Sequence, residues 1–598
     1  MDHKKKALFS YEKISRQLAA VARGQLPADL VIKNCRLVNV LTGEIEEGVD
    51  IAIAAGHFVF IGDAEKCIEV NTKVIRAKGL YLAPGFFDAH LHVESSMVTV
   101  TQFARAVLPH GTTAICMDPH EIANVLGIEG VRLMIEEGQA LPLRVFATAP
   151  SCVPSAPDLE DAGAAVGLEE VEEMLSWESV LGLGEMMNFP GVLQGEEKIH
   201  KMLEITREKR KVITGHFPLP DTASSLQAYI AAGISSCHES TRRQEVLAKL
   251  RRGMYAMIRE GSAWQDLEET IKSVTENKVD TWRCLLVSDD THPRDLLQRG
   301  HMDYIVRKAI SCGLSPLKAY QMATINPARY FGLEEKLGCI APGRQADFLL
   351  LSDLAGVKVE QVFIAGKKVA EAGKLTREVT GAAYPSSVFN TVLIASRLQA
   401  SDFVMPAPEG KKEARATVIK VEEASALTKK IEMNVNFAGD LILTAGSDLA
   451  KLAVIERHGK KQGMALGLVS GFGLQKGAVA STVAHDSHNL IIMGTNNEDM
   501  ALAGNILQQE GGGLVAVQEG KVLALVKLPV AGLLSTQSVE EVAAGLQQLE
   551  TAFHELKCTL HAPFMTLSLL SLPVIPEIRL SNRGLVDVSK NCLIPVFS

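Results

Sequence analysis

The sequence predicts an α/β protein: a (β/α)8 barrel inserted in a small β-sandwich domain, with a C-terminal α+β domain after it. Three observations predict this. Between residues 84 and 337, short continuous apolar runs alternate with amphipathic helical stretches, the pattern of parallel strands covered by helices. The segments on either side, 25–83 and 338–383, share a different texture of short alternating runs punctuated by Gly, Asn and Asp. At 598 residues the chain is also too long for a single core.

In chain order, residues 1–24 begin with a basic stretch that lacks the apolar run of a signal peptide, and Tyr11 to Arg23 has the spacing of a short amphipathic helix. Leu30-Val31-Ile32, Asp50-Ile51-Ala52-Ile53 and Phe58-Val59-Phe60-Ile61 read as strands of a small antiparallel unit, which resumes at Ala346 to Leu351 and Gln361 to Val369. Within 84–337 the apolar runs include Thr113 to Met117, Arg144 to Thr148, Val180 to Gly184 and Val212 to Gly215, and about 250 residues of such repetition suit a (β/α)8 barrel. Residues 384–415 have the composition of a linker, and 416–598 mixes strands and helices, with Gly511-Gly512-Gly513 read as a tight turn between strands.

Composition excludes several classes. A net charge of -9 argues against nucleic acid as a standing partner, because phosphate binding needs a basic surface. No apolar stretch approaches a membrane-spanning length. The 10 cysteines contain no Cys-x-x-Cys pair and read as reduced thiols, so a cytoplasmic protein is expected.

Barrel active sites sit at the C-terminal ends of the strands. The polar residues that end the apolar runs are His90 and His92, then Glu185, His216, His238 and Asp289. His90 and His92, two apart in a strand, face one side and can grip one divalent ion. Each residue alone has a bland alternative: a satisfied loop histidine, or a helix-capping acid. Four imidazoles and two carboxylates, each directly after a strand-like run, form a mixed N/O set suited to Zn, Mn or Fe. His120 and Glu121 follow the second run and face the same mouth, with a helix-start role as the competing reading.

Pro84-Gly85-Phe86-Phe87-Asp88-Ala89-His90-Leu91-His92, followed by Glu, His, His and Asp at later strands, resembles the amidohydrolase superfamily. His92-Val93-Glu94-Ser95-Ser96-Met97, Pro109-His110-Gly111-Thr112-Thr113, Asp118-Pro119-His120-Glu121-Ile122-Ala123-Asn124-Val125, Asp289-Asp290-Thr291-His292-Pro293 and Val483-Ala484-His485-Asp486-Ser487-His488-Asn489 resemble the adenine deaminase family, over nearly the whole chain. The resemblance implies two divalent metal ions, Mn first with Fe or Zn as substitutes. His90 and His92 would bind one, His216 and His238 the other. Glu185 would bridge them where many relatives use a carbamylated lysine, and Asp289 would bind the first ion and the attacking water.

The implied reaction is hydrolytic deamination of adenine to hypoxanthine and ammonia in purine salvage. Bound metal lowers the pKa of water to about 7, and the hydroxide attacks C6. Asp289 carries the proton to the departing ammonia, while Glu121, or failing it His120, donates to N1. Glu94, Ser95 and Asp118 are expected to contact substrate or brace ligands, and His485, Asp486 and His488 to close the mouth rather than hold a separate metal. The expected partner is the small molecule adenine, within a homo-oligomer. The competing reactions are cyclic amide or ureide hydrolysis, or deamination of a modified adenine, with a non-catalytic scaffold ranked last.

Overall fold

A computed structural model describes residues 11–220, 224–423, 425–444, 448–460 and 463–598. The basic stretch read at residues 1–10 lies outside them. The helix Tyr11–Ala22 packs Val21 into a cluster with Val31, Ala52 and Val59, on the back of the first sheet.

That sheet has nine strands and draws on both sides of the parallel-strand region. Its seam is the pairing of Tyr81–Pro84 with Phe348–Asp353, Phe348 lying opposite Pro84. The chain therefore leaves the sheet and re-enters it on neighbouring strands. The core holds Phe58, Phe348 and Phe363, the last two rings stacked at 4.4 Å. The sheet is mixed rather than antiparallel: Leu30–Asn39 pairs in parallel with Lys73–Arg76 and Tyr81–Pro84. Alternation of apolar residues reports a half-buried strand, but it carries no information about the direction of the neighbour.

Leaving this sheet, the chain turns at Gly85, where a Cβ would lie 2.2 Å from Thr113 Oγ1, so only glycine permits the approach. A half-barrel of parallel strands follows. Phe86–His92, Thr112–Met117, Arg144–Ala149, Val180–Met186 and Val212–Gly215 pair in sequence, and Asp289–Asp290 flanks the first of them. A second parallel sheet contains Ser236–Cys237, Tyr255–Arg259 and Cys284–Val287. The Ser235 amide donates to Ile213 O at 2.9 Å on one side, and Cys284–Val287 runs through Ser288 into Asp289–Asp290 on the other. Every residue of Phe86–His92 is buried, as a strand covered on both faces requires.

The C-terminal region is built on another nine-stranded sheet, with the helices Asn497–Glu510, Val539–Glu555 and Pro563–Leu569. Gly511 ends the first of these helices in a left-handed conformation and Gly513 begins a strand, so the triple glycine joins a helix to a strand rather than two strands. Between residues 384 and 415, 3-10 turns at Ser386–Phe389, Ala400–Phe403 and Pro408–Gly410 are anchored by buried Val388, Leu398 and Phe403. The C-terminal region lies against the ends of the parallel strands. Ser535 pairs its backbone with Met97 and Thr99, Arg294 meets Glu550 at 2.9 Å, and Arg583 meets Asp161 at 2.7 Å. Among the described residues, no helix is long and apolar enough to cross a membrane.

Candidate metal centre and active site

The strand ends converge. His90 Nε2 and His92 Nε2 lie 3.6 and 3.3 Å from Asp289 Oδ1, which the Asp289–Asp290 strand places beside His92 by pairing with the first parallel strand. Glu185 stands between two groups of imidazoles. Its Oε2 is 2.9 Å from His216 Nδ1 and 3.1 Å from His238 Nε2, and its Oε1 is 3.5 Å from His92 Nε2 and 3.4 Å from His120 Nδ1. The rings of His90 and His238 stack at 4.0 Å. All six strand-end residues singled out in the sequence thus meet in one cage. Asp289 takes a left-handed φ of 59°, which costs a non-glycine residue about 1–3 kcal/mol and marks a carboxylate held in place by its surroundings.

Burial alone would raise the carboxyl pKa values and lower the imidazole ones. Against that burial, His216 and His238 hold Glu185 well below the usual carboxylate range, and His90, His92 and Arg259 do the same for Asp289. Asp289 and Glu185 in turn lift His92 well above the ordinary histidine range, whereas burial and neighbouring His90 bring His238 down to about 4. His90 Nε2 is buried without a hydrogen-bond partner. An orphaned imidazole nitrogen facing ionised carboxylates fits a divalent cation, which would replace protons in the cage.

A surrounding layer fixes these ligands. His92 Nδ1 lies 2.9 Å from Asp118 O, so its proton sits there and Nε2 is left for the cage. Asp118 Oδ2 accepts the Glu185 amide at 2.8 Å, an approach open only because residue 184 is glycine: a Cβ there would lie 2.7 Å from that oxygen. Asp88 Oδ1 accepts the amides of His90 and Ser288, both at 3.3 Å, and its Oδ2 faces His301 Nε2 at 3.2 Å. Arg259 Nη1 donates to Asp289 Oδ2 at 3.1 Å and also to Glu239, while its Nε reaches Asp266 Oδ2 at 2.9 Å.

Arg259, Glu239, Asp88 and His301 are absent from the sequence-derived set. Arg259 ends the strand Tyr255–Arg259 and was findable by the strand-end rule. Glu239 directly follows His238. Asp88 and His301 carry no local signature of their pairing.

Glu94 Oε1 accepts the Ile122 amide at 3.2 Å and so serves the open start of the helix His120–Leu126, whose N-cap residue Pro119 offers no side-chain bond. Burial and the nearby Glu121 carboxylate push the Glu94 carboxyl up to about 7. Ser95 Oγ donates to Asp290 Oδ1 at 2.5 Å. His120 and Glu121, adjacent in sequence, diverge: His120 lies against Glu185, whereas Glu121 Oε1 is 3.2 Å from His485 Nδ1 and its Oε2 is 3.8 Å from His488 Nε2. Asp486 Oδ1 lies 4.0 Å from His120 Nε2. The loop carrying His485, Asp486 and His488 therefore lies against the start of the helix His120–Leu126, beside the cage.

The amidohydrolase family matches residues 81–369, and the adenine deaminase C-terminal domain matches residues 425–592. A protein named adenine deaminase from Moorella thermoacetica is 56% identical over 576 residues, covering 96% of each chain. One of the same name from Clostridium botulinum is 49% identical over 585 residues, covering 98% of each. Among solved structures, a beta-aspartyl dipeptidase from Fervidobacterium islandicum aligns at a TM-score of 0.45 with 16% identity, covering 58% of this chain and 98% of that one.

Proposed function

The chain belongs to the adenine deaminase family of amidohydrolases, and from that premise we propose that its imidazole–carboxylate cage carries out the hydrolytic deamination of adenine to hypoxanthine and ammonia. The observation that carries this reading is Glu185, whose two oxygens reach His216 and His238 on one side and His92 on the other. We read the two parallel sheets as one (β/α)8 barrel over 84–337, inserted in the unit formed by 25–83 and 338–383. Residues 384–415 connect it to the C-terminal α+β domain, 416–598.

His90, His92 and Asp289 would hold one divalent ion and His216 and His238 a second, with Glu185 between them and Mn as the first expectation. When bound, such ions lower the pKa of water to about 7 and so supply the nucleophile. Asp289 is ionised and aimed by Arg259, so it can take a proton from the water and pass it to the departing ammonia. A donor to N1 stabilises the charge that develops on the ring as C6 is attacked. Of the two candidates, the geometry favours His120, which lies against Glu185 and His92, over Glu121, which turns toward the C-terminal loop. The loop of His485 and Asp486 would cover the site, and the setting is purine salvage in the cytoplasm.

The test is ammonia release from adenine by metal-stripped enzyme reloaded with Mn, Fe or Zn, with bound metal counted. Activity should return with about two ions per chain, as the ligand set provides for. Release from cytosine, guanine or adenosine with none from adenine would overturn the substrate assignment, and ring opening of a cyclic amide or ureide would favour the competing reaction.

A further inference from the structure

Glu121, His485 and His488 form a second buried cluster, with one donor atom from each within 4.8 Å of the others. Its arrangement looks like a third metal site, but the hydrogen bonding of His488 argues against one. The Ala484 amide donates to His488 Nδ1 at 3.2 Å, so the neutral ring carries its proton on Nε2, the atom that faces Glu121. A protonated nitrogen has no lone pair for a metal. His488 is also pinned from behind, because buried Arg457 donates to its carbonyl and to those of Thr391 and Ala531. The Glu121 carboxylate is therefore paired closely with His485 alone, at 3.2 Å, while the pinned ring of His488 stands 3.8 Å off.

His485 is oriented by the same carboxylate. Glu121 Oε1 engages Nδ1 at 3.2 Å, and the backbone of His485 is held on both sides by Ser568 and Ser571. The cavity lying between the parallel-strand region and the C-terminal region is lined by Ser95 and Glu121 from one and by His485, Phe564 and Ser568 from the other. The cage lies one imidazole away: His120 touches Glu185 Oε1 with Nδ1 and looks toward Asp486 with Nε2. A purine with C6 at the cage would extend toward this cavity. In its six-membered ring, the nitrogen diametrically opposite C6 is N3, an acceptor.

We propose that His485, supplied by the C-terminal domain and fixed through Nδ1 by Glu121, binds the substrate by donating its Nε2 proton to N3 of the purine. Glu121 is then a positioning residue acting through His485. The groups facing His485 are Glu121 from the helix His120–Leu126, Asp486 and His488 from its own loop, and Asp290 from the strand flanking His92. Although burial opposes it, the Glu121 carboxylate lifts His485 to about 9, which keeps both ring protons in place at neutral pH. The inference rests on adenine as the substrate and adds the residue that recognises its far edge.

The experiment is a cycle of two enzymes and two substrates, run on Mn-loaded full-length protein: wild type and His485→Leu, with adenine and 3-deazaadenine, in which a C–H replaces N3. Wild type should lose kcat/KM on 3-deazaadenine, and His485→Leu should lose it on adenine. The two losses should fail to add by about 10- to 100-fold, the worth of one hydrogen bond from a charged donor. Glu121→Gln, which keeps His485 but weakens its anchor, should show a smaller coupling of the same sign. Both variants should keep the wild-type metal content. Additive losses, or a coupling that appears with 7-deazaadenine instead, overturn the assignment to N3. Should His485→Leu lose its metal, Glu121→Gln decides by the same criterion. A wild-type enzyme inactive on adenine would overturn the proposed function itself, a separate result read in the first column of the same cycle.

Discussion

Arg259→Gln removes a cation that buried Asp289 shares with the partly exposed carboxylates of Glu239 and Asp266. The guanidinium lies 3.1 Å from Asp289 Oδ2 and 2.9 Å from Asp266 Oδ2, and it also bonds Glu239. Glu239 in turn stands 3.7 Å from His238 Nε2 and 3.9 Å from His216 Nδ1, so Arg259 supports both sides of the cage. At these separations a pair attracts by about 5–6 kcal/mol at an effective dielectric of 20, and breaking the buried pair with Asp289 costs about 3–5 kcal/mol. Most of that cost falls equally on the resting enzyme and the transition state. The rate responds to the freedom of Asp289: with Oδ2 released, the carboxylate can rotate away from the line of proton transfer, and a displacement of about 1 Å costs on the order of 100-fold.

Steady-state ammonia release by Mn-loaded Arg259→Gln should therefore show kcat lowered about 100-fold, with metal content close to wild type because every imidazole remains. Arg259→Lys keeps the charge but not the planar fork that serves Asp289 and Asp266 together, and should fall between the two. Wild-type turnover by a fully loaded Arg259→Gln enzyme would refute the positioning role.

Two further perturbations follow from the same geometry. Glu185→Gln replaces an oxygen that meets His216 and His238 with an amide group, so the variant should bind fewer ions than wild type at equal free Mn and lose turnover in proportion; two tightly held ions and normal turnover would sink the bridging role. Glu160 is buried beside the contact with the C-terminal region, and burial pushes its carboxyl up to about 7. A carboxyl raised above its unfolded value binds its proton more tightly in the folded state, so stability falls as pH rises from about 4.5 to about 7. Glu160→Gln, still able to accept from Ser155 and the Ala156 amide, should raise the thermal midpoint at pH 8, by an amount on the order of 3 kcal/mol of stability, and hardly at all near pH 4; an equal shift at both values would contradict the linkage.

The legible parts of the fold are those fixed by local pattern. Continuous apolar runs gave the positions of Thr112–Met117, Arg144–Ala149, Val180–Met186 and Val212–Gly215 to within a residue or two, because burial on both faces leaves no room for polar residues. Pairing direction in the first sheet was not legible: Leu30–Asn39 reads the same whether its neighbour runs parallel or antiparallel. Gly511 to Gly513 announced a turn but not what it joins, since a left-handed glycine ends helices and strands alike.

The candidate site divides along the same line. His90, His92, Glu185, His216, His238 and Asp289 could be picked out because a cation needs lone pairs at strand ends, and each of these offers one. Arg259 also ends a strand, but a search for ligands passes over a residue that has none to give. Its role comes from Glu239, Asp266 and Asp289 converging on it, which is a property of the folded chain. Glu121 and His485 are a stronger instance, 364 residues apart and in contact only because the C-terminal region lies across the strand ends. His120 and Glu121 look interchangeable in sequence, yet on a helix adjacent side chains point about 100° apart. The one turned inward lies against Glu185 and the other against His485, so in the proposed reading His120 is the group placed to reach N1 and Glu121 the group that fixes His485.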